Sequence, residues 1–237
     1  MVSHIYGKTN LKFHSFTDEL TLNQNFATQI VTKLTDAIQA RGHAYLVVSG
    51  GKTPLPLFKL LAQTTLPWEQ VTICLADERC VSADDAARNE RMLRNNLLQL
   101  KAKTANFISL YDELQPTKTL QNLEQTLLAL PQFDVVILGM GEDGHTASLF
   151  PCSEELATGL SDNAPAVLIV NPKTAPHQRI SLSKNRLLNT RSVYIHLTGN
   201  NKRVILEQAR LINDPMQMPI CAFLNHEASD LQVMYAP

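Results

Sequence analysis

Two residues in one glycine-rich segment have the types and spacing to move a proton. Gly139-Met140-Gly141-Glu142-Asp143-Gly144-His145 sets a carboxylate two positions before an imidazole. Imidazole titrates near neutrality, and a neighbouring carboxylate can fix its tautomer and support its charged form, which is what a general base needs. The same spacing suits a histidine that only hydrogen-bonds its own turn, so both readings of Asp143 and His145 stand at this point. No Gly-x-Ser-x-Gly nucleophile motif occurs, which turns the expected chemistry toward activation of water. Asp77-Glu78-Arg79 follows the predicted strand VTICLA and places acidic and basic side chains at a strand end. Asp77 and Arg79 can orient a polar substrate if their side chains reach the same crevice, and form a surface ion pair if they do not.

A second segment has anion chemistry. Ser49-Gly50-Gly51-Lys52-Thr53-Pro54 combines two glycines that free backbone N–H groups, the hydroxyls of Ser49 and Thr53, and a proline that starts a helix. A helix N-terminus with spare N–H donors cradles phosphate. A Walker-type loop is excluded, because Leu46 stands where that motif needs its first glycine. The 139–144 segment matches the dinucleotide fingerprint Gly-x-Gly-x-x-Gly, but Glu142 and Asp143 put carboxylates where a pyrophosphate would sit, and Pro151 cuts short the helix that should follow.

These loops need strands to present them. AYLVV (44–48), VTICLA (71–76), FDVVIL (133–138), AVLIV (166–170) and SVYIHL (192–197) read as buried strands alternating with helical patterns. That alternation predicts an α/β fold with a parallel sheet covered on both faces. Phe26, Ile30, Leu34 and Ile38 recur at four-residue spacing, which predicts an amphipathic helix ending near Gly42. Further helices are expected at 54–63, 86–100, 119–130 and 200–212. Both glycine loops then fall at carboxyl ends of strands, where open parallel sheets bind ligands. No repeat or linker divides the chain, so residues 1–237 read as a single α/β domain with room for a small appended lobe.

Composition bounds the partners. Twenty-one Lys+Arg against 22 Asp+Glu leaves a formal charge of -1, so no global field draws the protein to nucleic acid or an anionic membrane, and a bound anion must be met locally. Only nine of 237 residues are glycine, and five of these lie in 50–51 and 139–144, which marks two special loops rather than general flexibility. Cys74, Cys80, Cys152 and Cys221 are too scattered for a zinc knuckle, redox pair or disulfide framework and read as buried free thiols. The first residues, MVSHIYGKTNLKFHSF, lack the basic and apolar regions of a secretion signal. A cytoplasmic location is the expectation.

SGGKTP, LADERCVSADDAARNERMLRNNLL and above all ILGMGEDGHTASLFP resemble the 6-phosphogluconolactonase family, related to the glucosamine-6-phosphate deaminases. The resemblance spans about 44 to 220 and implies a Rossmann-like layered sheet without a dinucleotide. It implies hydrolysis of a small phosphorylated sugar lactone in the pentose phosphate pathway, with no metal or organic cofactor and no obligate protein partner. On matching positions His145 is the catalytic histidine with Asp143 beside it, and Asp77 and Arg79 line the site. Arg179 and Lys202 join Ser49, Gly50, Gly51, Lys52 and Thr53 in holding the phosphate. Deaminases carry an aromatic after Asp-Glu and an Asn-Glu-Pro run after the histidine loop, whereas here Arg79 follows Glu78 and Leu149-Phe150-Pro151 follows the loop. Two departures stand out. Arg88 stands where a serine usually precedes Asn89, which removes a hydroxyl contact and leaves open whether the residue supplies another phosphate-directed charge, and LQVMYAP, lacking the residues that often follow the last strand, reads as a trimmed terminus of no catalytic consequence.

Overall fold

The computed structural model describes residues 2–6, 11–226 and 230–237. The chain opens with β1 (Val2–Tyr6), β2 (Leu11–Ser15), α1 (Glu19–Arg41), β3 (Ala44–Val48) and α2 (Leu55–Gln63). Then come β4 (Val71–Leu75), β5 (Asp77–Arg79), α3 (Asn89–Asn96), β6 (Asn106–Ile108), α4 (Pro116–Ala129) and β7 (Val135–Leu138). The last third holds α5 (Leu156–Leu160), β8 (Val167–Val170), β9 (Arg179–Leu182), α6 (Lys184–Leu188), β10 (Ser192–Thr198), α7 (Asn200–Ile212), α8 (Cys221–Leu224) and β11 (Asp230–Ala236).

Eight strands form the main sheet in the order β1-β2-β11-β10-β7-β3-β4-β6. Every neighbouring pair is parallel except β1 with β2. Its centre is apolar on both faces: Leu46, Val47, Val48, Ile73, Val135 and Leu138 are fully buried. Such runs need helices on both sides. Helix α1 shows how the sequence supplies one. Asp18 caps it by accepting from the Thr21 N–H at 2.7 Å, and Gly42 ends it at φ 75 with its N–H on the Ile38 carbonyl. Leu22, Phe26, Ile30 and Leu34 then form a stripe buried against the sheet.

AVLIV does not join this sheet. As β8 it pairs antiparallel with β9, which pairs with β5 in a second, three-stranded sheet. Ala76 is the crossing point: its N–H donates to Val48 in the main sheet, while its carbonyl accepts from Leu182 of β9. A short apolar run looks alike in either sheet, because periodicity reports burial and not pairing. The terminal LQVMYAP supplies most of β11, which lies between β2 and β10. Helix α3 is shorter than expected and the chain tightens to a 3₁₀ turn at Leu100–Thr104. Cys74 and Cys221 are buried, but Cys80 and Cys152 are only partly so. Among the described residues no helix is long and apolar enough to cross a membrane.

Among the described residues several buried polar groups lack a hydrogen-bond partner, and a histidine is one of them. His196 of β10 has no hydrogen bond on either ring nitrogen and meets the edge of Phe26 at 5.3 Å. Burial pushes its imidazole down to about 4. The folded ring stays neutral while the unfolded ring takes up a proton below about pH 6.5, so acidification favours the unfolded chain. Between pH 7.5 and 5 this group should remove about 2 kcal/mol of stability. Urea unfolding of His196→Leu should therefore show that much less acid sensitivity than the parent, and equal sensitivity in both would contradict the assignment.

Candidate active site

Strands β10, β7, β3 and β4 are consecutive in the main sheet, so the loops at their carboxyl ends converge. Ser49, Gly50, Gly51, Lys52 and Thr53 follow β3, Asp77 and Arg79 follow β4, His145 follows β7, and Lys202 follows β10; with Arg179 of β9 they line one cleft. Asp143 stands outside it, behind His145, facing a second hollow with Phe150 and Cys152. The expected site residues are thus brought together, and the Asp–Arg pair of the 77–79 segment is not surface decoration.

The geometry at His145 is specific. Its Nδ1 lies 2.5 Å from Asp143 Oδ1, and its backbone N–H donates to the same oxygen at 3.1 Å. Burial works against the Asp143 charge, but the bonds from the His145 ring and amide outweigh it and hold the carboxyl below its usual range. An ionised carboxylate only accepts, so Nδ1 carries the proton and Nε2 of the neutral ring keeps a lone pair. Gly141 makes the arrangement possible: a Cβ there would lie 2.1 Å from Nδ1 and 2.7 Å from Asp143 Oδ1. Its N–H donates to the His145 carbonyl at 2.8 Å, closing the loop on itself. Gly139, by contrast, faces open space and has no such duty.

The second sheet supplies charge. Asp77 is buried and its Oδ2 accepts from the Ser148 hydroxyl at 2.6 Å, with Arg179 Nη1 4.0 Å away. Arg79 and Arg179 are direct cross-strand partners in the β5–β9 pair. Burial, and then the neighbouring Arg79 charge, push the Arg179 guanidinium down. Two cations facing each other across an antiparallel pair are unfavourable unless an anion joins them. Arg179 is held by the Pro176 carbonyl, and Arg79 by Ala87. Opposite them Lys202 Nζ donates to the Met140 carbonyl at 2.9 Å, one of the three protons an ammonium carries. The Ser49 hydroxyl is buried and unpartnered among the described residues.

Glu78 and Arg88 lie outside the cleft and hold each other. Successive strand residues point to opposite faces, so Glu78 turns away from the cleft. It is fully buried and accepts from the backbone N–H groups of Arg79, Asn89 and Glu90. Burial pushes its carboxyl up in spite of these bonds and of Arg88. Arg88 is itself buried, its Nε 3.2 Å from Glu78 and its Nη2 3.1 Å from Glu90, with the Val81 and Tyr111 carbonyls completing its fork. It therefore fixes the start of α3 and offers no charge to a phosphate. Asn89, which sequence reasoning gave no role, lines the cleft and donates to the Asp77 carbonyl at 3.0 Å. It fills the space beside Gly50, where a Cβ would lie 2.0 Å from its Oδ1. Ser148 was passed over in the same way; no spacing rule marks a hydroxyl whose partner is 71 residues away.

Residues 17–233 match the family model described as glucosamine-6-phosphate isomerases/6-phosphogluconolactonase. The chain belongs to this family. Among its curated relatives, a 6-phosphogluconolactonase of Pseudomonas putida is 38% identical over 232 residues, covering 97% of this chain and 96% of the relative. One from Rhizobium meliloti is 35% identical over 227 residues, 94% of this chain and 98% of that one. Among solved structures, a 6-phosphogluconolactonase from Shewanella baltica superposes with a TM-score of 0.92 at 43% identity, covering 98% of this chain and 99% of that one. In this chain the 139–144 segment that matches the dinucleotide fingerprint carries the Asp143–His145 hydrogen bond.

The Glu78–Arg88 pair makes a stability prediction. Arg88→Met keeps the volume but leaves Glu78 buried without its cation, which typically costs about 3–5 kcal/mol. Denaturant unfolding should show a loss in that range, and a loss below about 1 kcal/mol would mean that the backbone donors alone hold Glu78.

Proposed function

We propose that the chain hydrolyses 6-phosphoglucono-δ-lactone to 6-phosphogluconate, with His145 as general base. One observation carries the reading: a cleft-lining imidazole whose Nδ1 is committed to an ionised Asp143, across from a glycine loop and clustered cations. Nε2 of His145 takes a proton from water as the water oxygen bonds to the lactone carbonyl carbon. The carbonyl oxygen gathers negative charge, for which Arg79 or the loop amides are the donors at hand. Collapse breaks the bond to the ring oxygen, which receives the proton from His145. Asp143 stays ionised throughout and supports the transient imidazolium.

A lactone is already an activated ester, so one base and an electrostatic donor are sufficient, without a metal or organic cofactor. The phosphate would sit among Ser49–Thr53, Arg179 and Lys202, remote from the reacting carbon. The protein then works in the cytoplasm, in the oxidative pentose phosphate pathway, on a small phosphorylated substrate. Its net charge of -1 gives no help, so these few cations do the recognition.

Two variants separate the roles. His145→Ala should lose about 10²–10⁴-fold in kcat while remaining folded, read by following the fresh lactone above its spontaneous hydrolysis. Near-parental turnover would sink the assignment. Lys202→Ala should instead raise KM by about 10–100-fold with little change in kcat, since it removes a charge-assisted contact far from the carbonyl. An unchanged KM would move the phosphate elsewhere.

A further inference from the structure

The hydrogen bond to Asp143 anchors the His145 ring at one atom and leaves its plane to be set by something else. The only aromatic ring stacked on it among the described residues is Phe150, with centroids 4.0 Å apart and planes 28° from parallel. The same phenyl ring carries Arg179, whose guanidinium carbon lies 5.6 Å from its centroid. We propose that Phe150 is a positioning residue that sets the plane of the His145 imidazole and seats Arg179 beside it, so that one ring couples the proton-moving group to the substrate-facing cation; this rests on the hydrolytic reading above.

Phe150 is itself held firmly enough to act as a template. It is buried, and the segment before it is pinned at three places. Thr146 donates its hydroxyl to the Gly139 carbonyl, Ser148 donates its hydroxyl to Asp77, and the Ser148 N–H donates to Ser181 Oγ. The Leu149 N–H closes a tight turn on the Thr146 carbonyl, and the Ser153 N–H ties down the Phe150 carbonyl from the far side. Ala147 in that turn has φ 50, a left-handed conformation that a non-glycine residue keeps only where its surroundings enforce it. The turn delivers Phe150 to one place.

The ring does two things that an aliphatic side chain of like size would not. Its flat face opposes rotation of the imidazole out of the plane that keeps Nδ1 on Asp143. Its negative π-face favours a cation beside it, which serves Arg179 at all times and His145 while it holds the proton taken from water. Asp143 acts along the imidazole plane and Phe150 across it, so neither replaces the other.

The test compares Phe150→Leu, Phe150→Met and Phe150→Tyr in the lactone assay, with near-UV circular dichroism to establish folding. Leu and Met should each lower kcat about fivefold to thirtyfold and raise KM severalfold, while Tyr, which keeps the π-face, should restore both to within about twofold of the parent. The methionine variant reads the same quantities if the leucine variant does not fold. Folded aliphatic variants with parental kcat and KM would overturn the proposal, because filling space would then be the whole effect, as would a folded Tyr variant as impaired as Leu, because the π-face would then not be what positions the imidazole. A parent protein that fails to hydrolyse the lactone overturns the hydrolytic reading itself, an outcome distinct from an active parent with indifferent Phe150 variants.

Discussion

A carboxylate can only accept, and from that constraint the site follows. Because Asp143 is ionised and bonded to Nδ1 of His145, the imidazole has one proton location and one free lone pair. Everything near it serves this bond. Gly141 gives the ring room where a methyl group would collide, its amide closes the loop on the His145 carbonyl, and Thr146 ties the loop to the end of β7. The parallel sheet contributes a location: β7 lies at its centre, so its carboxyl end opens between the loops that follow β3 and β10.

The second sheet solves a separate problem. A protein with a net charge of -1 cannot attract an anion by its overall field, so cations must be concentrated at one point. The chain does this by leaving the main sheet at Ala76 and pairing β5 with β9, which sets Arg79 opposite Arg179. Such a pairing is unfavourable in isolation. It is tolerated because buried Asp77, itself oriented by Ser148, stands beside Arg179, and because Glu78 with Arg88 anchors the backbone on which Arg79 and Asn89 are carried.

Much of this was legible in the sequence wherever the signal is local. The apolar stripe of α1 and its end at Gly42 follow from local spacing, and the placement of the two glycine loops follows from the strands before them. What could not be read depends on pairing between distant segments. AVLIV is apolar in the same way as the main-sheet strands, yet it pairs only with β9. Arg88 reads as a charge available to a phosphate until Glu78 is found buried beside it, and Ser148 carries no local signal until Asp77 is found beside it. The resemblance to a family brought Arg179 and Lys202 into view, since an arginine opening a strand and a lysine in the first turn of a helix carry no distinguishing local pattern.

The most direct test of the central claim is the tautomer of His145, read by long-range ¹H–¹⁵N correlation on the histidine-labelled protein with the ring neutral. The geometry predicts a protonated Nδ1 and an unprotonated Nε2, the state that can take a proton from water. A ring protonated on Nε2 would contradict it, because Asp143 would then face a lone pair and the base would have no capacity on the side of the cleft.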